Sequence, residues 1–175
     1  MNIETIKQKI PSEAKDILLN LESVLSEDGT PDLTERQTLL IALASAYAAK
    51  HPELIQALQN SASAHFVEAD FRAVKSAAAI MAMNNVYYRF IHLASDKSYG
   101  SMPARLRMNV IANPGIDKND FELCCLAVSA LNGCGMCMDA HANALTKAGI
   151  SKQAIQSSIR IAAVMNAAAL SLALT

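Results

Sequence analysis

Two cysteines and a histidine stand at close spacing in the stretch NGCGMCMDAH, residues 132–141. Cys134 and Cys137 are three positions apart, so in a helix their sulfur atoms lie within one turn and can form a disulfide. A helix that begins after Gly133 would hold Cys134 at its N-terminus, where free N–H groups and the helix dipole favour a thiolate. His141 lies four positions beyond Cys137 on the same helix face, where an imidazole can take a thiol proton. The spacing therefore predicts a redox-active dithiol with a nearby base.

Other interpretations of this pair remain open at this point. A zinc site needs four ligands, and the stretch supplies at most three: Cys134, Cys137 and His141. A thioredoxin fold needs strands around the motif, and no segment shows strict period-two alternation. In a third interpretation the two cysteines are structural and His141 is a surface residue. The adjacent Cys124 and Cys125 are predicted to be small buried hydrophobic residues.

Glu122 is the only charged residue between Phe121 and Met138. The segment around it is apolar on nearly all sides, which is typical of a buried helix. A buried carboxylate needs a partner, and burial tends to raise its pKa, as a proton relay requires. The sequence also allows a second role, in which Asn119 is the N-cap of the helix and Glu122 closes a capping box. The two roles are not exclusive.

The elements that must position these residues are predicted to be helices. PSEAKDILLNLESVL carries a helical stripe of apolar residues, a helix is expected to follow a cap at Thr34, and residues 68–93 read as one long helix. Residues 98–120 form the only extended connector, rich in Gly, Pro and polar residues. Three further helical segments follow it, and the dipeptide Asn132–Gly133 predicts a helix end between the first two. We therefore expect an all-α fold.

The two halves of the chain resemble each other. LIALASAYAAK matches CCLAVSALNGC, and AVKSAAAIMAMNN matches AIQSSIRIAAVMN. We infer a duplicated helical unit. Lys50 and His51 stand where the second half has Cys134 and Gly135, so the chemistry is expected in the second half only. The prediction is a single domain, 1–175, with a first repeat at about 31–95, a connector at about 96–119 and a second, catalytic repeat at about 120–175.

Composition limits the classes of function. The chain has 175 residues, of which 52% are hydrophobic and 18% are charged, and its net charge of −1 gives no footprint for nucleic acid. The first 16 residues lack the apolar core of a signal peptide. The C-terminal tract IAAVMNAAALSLALT is short and contains Asn166 and Ser171, which predicts a buried helix rather than a membrane span. The low charge content and the uncharged stretch after Arg160 suggest apolar contacts between subunits. We expect a cytoplasmic protein that binds neither nucleic acid nor membrane.

PARLRMNVIANPG, FEL…AVSALNGC and C-x-x-C-x-x-x-H together resemble the alkyl hydroperoxidase D family of the carboxymuconolactone decarboxylase-like superfamily. The resemblance covers the whole chain. It implies an all-α fold made of a duplicated helical unit and assembled as a homotrimer. It also implies a thiol peroxidase that reduces organic hydroperoxides. In the family pattern Cys137 becomes the sulfenic acid, Cys134 is its partner and proton donor, and Glu122 and His141 belong to a proton relay.

The resemblance also implies an electron supply and partners. No cofactor is tightly bound, and electrons come from dihydrolipoamide, carried by a lipoylated dihydrolipoamide succinyltransferase and recharged by lipoamide dehydrogenase. A further implied partner is the peroxiredoxin alkyl hydroperoxide reductase C. One position departs from the pattern, because Met136 stands where the best-known members have a histidine directly before the second cysteine. Two other functions stay open, a redox-sensing interaction module without turnover and a decarboxylase, although the latter does not need a Cys-x-x-Cys motif.

Overall fold

The computed structural model describes residues 2–26 and 28–174, and within them the regular elements are helices, which confirms the all-α, single-domain prediction. Short 3-10 turns at Ser12–Ala14 and Lys97–Ser101 accompany the α-helices. In chain order the α-helices are α1 (Ile3–Lys9), α2 (Lys15–Val24), α3 (Glu35–Ala49), α4 (Pro52–Ala62), α5 (Glu68–Leu93), α6 (Asn109–Ala112), α7 (Lys118–Leu131), α8 (Gly135–Lys147) and α9 (Lys152–Leu172).

The order of helix lengths repeats along the chain. Helices α3, α4 and α5 have 15, 11 and 26 residues, and α7, α8 and α9 have 14, 13 and 21. Helix α3 packs against α7 and α9, and α7 packs against α3 and α5, so the first helix of each trio lies against the last helix of the other. The arrangement is that of a duplicated helical unit. The residue limits of the two repeats stay a prediction.

Helix α7 lies at the centre of the core and carries the segment around Glu122. Residues 120–129 are buried without interruption. Cys124 and Cys125 lie among them, as predicted, and burial raises the pKa of both thiols, so they stay protonated. The side chain of Arg36 in α3 bridges two buried carboxylates, Asp70 at the start of α5 and Asp120 in α7. This bridge fixes the start of α7 against the first half of the chain.

Several local predictions are confirmed. Thr34 caps α3 in a capping box with Gln37, and the long helix at 68–93 is α5. The predicted connector contains a 3-10 turn and the four-residue helix α6, and its last residues already belong to α7, which begins at Lys118. Helix α9 is long and apolar enough to cross a membrane by length and composition, but half of its most apolar window is buried against other helices. The C-terminal tract is therefore helical, as expected, and it is buried over half of its most apolar window.

Candidate active site

The turn between α7 and α8 positions the two cysteines. Asn132 caps the end of α7, and Gly133 follows with φ +67°, a left-handed conformation that a glycine adopts without strain. Cys134 is the N-cap of α8, and its sulfur accepts a hydrogen bond from the backbone N–H of Cys137 at 3.3 Å. The helix end and the helix start predicted here are both present.

Cys134 and Cys137 form a disulfide, with their Cα atoms 5.3 Å apart. Cys134 is fully buried, whereas Cys137 is 6% exposed. Of the two cysteines, Cys137 is therefore the residue more open to a molecule arriving from outside the fold.

Glu122 and His141 lie together beneath this turn. An Oε2 atom of Glu122 is 2.6 Å from Nδ1 of His141, and the side chains are 9% and 11% exposed. Because water barely reaches either side chain, the Glu122 carboxylate and the Nδ1 atom of His141 depend on each other for a hydrogen bond. The interpretation in which the cysteines are structural and His141 is a surface residue predicted an exposed His141. His141 is instead buried.

The capping box proposed for Asn119 and Glu122 is wrong. Helix α7 begins earlier, because Asp117 is the N-cap and accepts hydrogen bonds from the backbone N–H groups of Asn119 and Asp120 at 2.8 and 3.2 Å. Glu122 is therefore the fifth residue of the helix, beyond the third position that a capping box uses. Its carboxylate is directed to His141 instead.

Helix α5 supplies the other wall of the site. Nε2 of His141 lies 3.3 Å from the sulfur of Met81, and the hydroxyl of Ser129 lies 3.4 Å from the same sulfur. Asn85 donates to Ser129 at 2.9 Å and accepts from the Asn132 side chain at 2.9 Å. These contacts hold the α7–α8 turn against α5.

A cavity of about 250 Å³ opens beside Cys137. Its exposed lining is almost entirely apolar, so it suits a small organic molecule better than an ion. Met136, which stands where the family pattern has a histidine, forms part of the cavity wall. The lining residues are Met81, Asn84, Tyr88, Met108, Ile111, Met136, Cys137, Ala140 and His141.

Comparison with known proteins supports the family that the motifs indicate. The model of the carboxymuconolactone decarboxylase family matches residues 98–175. The chain is 56% identical over 164 residues to alkyl hydroperoxide reductase AhpD of Coxiella burnetii (strain RSA 493 / Nine Mile phase I), covering 94% of this chain and 93% of that protein. It is 54% identical to the AhpD of Rhodopseudomonas palustris (strain BisA53), covering 98% and 93%, and 50% identical to that of Brucella suis (strain ATCC 23445 / NCTC 10510), covering 98% and 97%. The chain belongs to the alkyl hydroperoxide reductase AhpD family.

In this member of the AhpD family, the four predicted site residues form two directly bonded pairs. The disulfide of Cys134 and Cys137 and the Glu122–His141 pair lie on the α7–α8 hairpin, and Cys137 and His141 border one cavity. Among the residues that the structure describes, no group of three or more His, Cys, Asp or Glu side chains is arranged to hold a metal ion.

Sequence reasoning missed the contribution of α5 to the site. Met81, Asn84 and Asn85 belong to the first half of the chain, where no chemistry was expected. One signal was present in the sequence: two adjacent asparagines stand in the interior of a long helix, although asparagine is a poor helix former that hydrogen-bonds in preference to packing.

Proposed function

We propose that this chain is a thiol peroxidase that reduces organic hydroperoxides through a dithiol–disulfide cycle of Cys134 and Cys137. The observation that supports this proposal most is that three features lie next to one another: a Cys-x-x-Cys disulfide at a helix start, a buried carboxylate–imidazole pair, and an apolar cavity beside Cys137. The curated relatives are named alkyl hydroperoxide reductases, which agrees with this chemistry.

In the first step the thiolate of Cys137 attacks the distal oxygen of the hydroperoxide. The O–O bond breaks, the sulfur becomes a sulfenic acid, and the alkoxide leaves with a proton as an alcohol. Cys137 is assigned this role because it is the cysteine that borders the cavity, while Cys134 is fully buried.

In the second step the thiol of Cys134 attacks the sulfenic sulfur, and water leaves as the disulfide forms. Dihydrolipoamide then reopens the disulfide by thiol–disulfide exchange and becomes lipoamide. In this proposal the dihydrolipoamide is carried by a lipoylated succinyltransferase and regenerated by lipoamide dehydrogenase, and the peroxiredoxin alkyl hydroperoxide reductase C is a second acceptor of electrons. No tightly bound cofactor is required, since the two cysteines hold the electrons between half-reactions.

Glu122 and His141 move the protons of this cycle. Their 2.6 Å contact can pass a proton between the carboxylate and Nδ1, while His141 also borders the cavity in which thiolate and alcohol are formed. The site has one imidazole fewer than the best-known members of the family, because the thioether of Met136 cannot carry a proton.

We also propose a homotrimer in the cytoplasm. Half of the described residues after Arg160 are buried inside the protomer, and Leu170 and Leu174 are left exposed on that stretch. A second apolar surface lies on α5, where Val86, Phe90 and Leu93 are exposed at helical spacing. The exposed Met102 extends the apolar surface in the connector. An exposed stripe of this kind is typical of a subunit interface.

The test is steady-state turnover of tert-butyl hydroperoxide with dihydrolipoamide, lipoamide dehydrogenase and NADH. We expect NADH oxidation that depends on the protein and disappears in Cys137→Ser, whereas Cys124→Ser, which removes a buried thiol from the neighbouring helix α7, keeps its rate. Oxidation of the dithiol without repeated turnover would favour the redox-sensing module instead. An unreactive dithiol would contradict both and leave the decarboxylase to be assayed.

A further inference from the structure

Two adjacent asparagines of α5 differ in their hydrogen bonds. The side-chain nitrogen and oxygen of Asn85 both have a partner, since Nδ2 donates to Ser129 and Oδ1 accepts from Asn132, each at 2.9 Å. Asn84 is only 4% exposed, and its Oδ1 atom is buried without a hydrogen-bond partner among the described residues. A buried amide oxygen without a partner lowers stability, so a structural role does not explain Asn84 as it explains Asn85.

The side chain of Asn84 lies in the wall of the cavity that borders Cys137 and His141. Asn84 and Met81 are three residues apart and share a face of α5, and the sulfur of Met81 contacts Nε2 of His141 at 3.3 Å. The other polar residue contributed by α5 is Tyr88, whose hydroxyl contacts a methionine sulfur. Of these two polar side chains, Asn84 is thus the one whose buried oxygen has no hydrogen-bond partner among the described residues.

We propose that Asn84 positions the substrate, with its Oδ1 accepting a hydrogen bond from the hydroperoxyl O–H and so directing the distal oxygen to the Cys137 sulfur. The inference rests on the proposed peroxidase function. A hydroperoxide has one strong hydrogen-bond donor at the end that reacts, and the rest of an organic hydroperoxide suits the apolar lining. The free acceptor and the apolar wall therefore match the two ends of one molecule.

The chemistry of the step is compatible with a fixed acceptor. The sulfur–oxygen bond forms as the O–O bond breaks, the electron pair goes to the alkoxide, and the Glu122–His141 pair supplies the proton that makes the alcohol. The hydrogen on the distal oxygen is not transferred, because it remains on the sulfenic acid of Cys137. Asn84 can therefore keep its hydrogen bond from the bound peroxide to the product, and it stabilises the reacting geometry rather than moving a proton.

The experiment compares two reagents on the reduced full-length protein. Stopped-flow kinetics give the second-order rate constants for tert-butyl hydroperoxide and for methyl methanethiosulfonate. A thiolate attacks the thiosulfonate and releases methanesulfinate, but this reagent has no hydrogen-bond donor. In Asn84→Leu, which keeps the branched shape of asparagine without its polar atoms, we expect the peroxide reaction to slow about tenfold, as for the loss of one hydrogen bond. The thiosulfonate reaction should stay within about twofold of the wild type. Asn84→Ala should show the same selective loss and serves as the second variant if the leucine does not fold.

The stability of the variants separates the two asparagines. Asn84→Leu should unfold at the wild-type temperature or above it, whereas Asn85→Leu, which leaves Ser129 and Asn132 without a partner, should unfold at a lower temperature. Equal slowing with both reagents would mean that Asn84 shapes the dithiol, and unchanged peroxide kinetics would mean that its oxygen takes no part in substrate binding; either result overturns the inference. A wild-type protein that reacts with the thiosulfonate but not with the peroxide would instead refute the proposed function itself.

Discussion

Replacing Glu122 with glutamine tests the proton relay without disturbing its shape. The amide can still accept a hydrogen bond from Nδ1 of His141 across the 2.6 Å contact, so the free energy of unfolding should change little. An amide cannot exchange a proton, and with the two side chains only 9% and 11% exposed, water is a poor substitute. We therefore expect the peroxidase rate to fall by roughly 10²–10⁴-fold, the usual loss for a general acid–base group.

The assay is the coupled NADH reaction together with urea unfolding of each variant. His141→Gln should lose a comparable factor, and the double variant should lose little more, because members of one relay act as a unit. Glu122→Ala is the structural control: it leaves a buried ring nitrogen unpaired, which should lower stability by about 1–3 kcal/mol. Full activity in Glu122→Gln, or losses that multiply in the double variant, would show that the pair is a structural contact and not a relay.

Three further predictions concern other parts of the chain. Met136→His should speed the reaction of Cys137 near neutral pH, where an imidazole can accept a proton; an unchanged pH–rate profile would contradict this. Burial raises the folded-state pKa of Cys124 and Cys125, so their contribution to stability should be lost as pH rises above about 8.5, by up to about 1.4 kcal/mol per thiol per pH unit. Urea unfolding at pH 8 and pH 10 checks it, because the double alanine variant should lack that part of the decline. Arg36→Met removes the cation that pairs with two buried aspartates and should cost about 2 kcal/mol, somewhat less than loss from a fully buried pair because the arginine side chain is 36% exposed. A wild-type unfolding midpoint would refute it.

Much of the helical architecture could be predicted because the signals are local. The cap at Thr34 and the stop at Asn132–Gly133 act within one turn of the chain, so the residue types alone indicate where α3 begins and α7 ends. The repeat of apolar segments reflects packing of the same kind in both halves, with α3 and α7 side by side in the core. The sequence does not predict subunit contacts in the same way. The uncharged stretch after Arg160 suggested such contacts from its composition, but composition does not show whether an apolar face is covered within the protomer or between protomers.

The site was predictable only where it is contiguous in sequence. Cys134, Cys137 and His141 lie within eight residues, and helical spacing places them on one turn and one face. The contact between Glu122 and His141 depends on how α7 packs against α8, which local spacing does not determine. The cap at Asn119 failed because Asp117, two residues earlier, is the better placed acceptor for the first N–H groups. The wall from α5 could not be placed, since the hydrogen bond of Asn85 to Ser129 joins residues 44 positions apart.

A single turnover tests the central claim most directly. Reduced protein mixed with one equivalent of tert-butyl hydroperoxide should lose two thiols and release one equivalent of tert-butanol, and peptide mapping should find one new disulfide, joining Cys134 to Cys137. A disulfide through Cys124 or Cys125, or thiols that survive while the peroxide is consumed, would contradict the account.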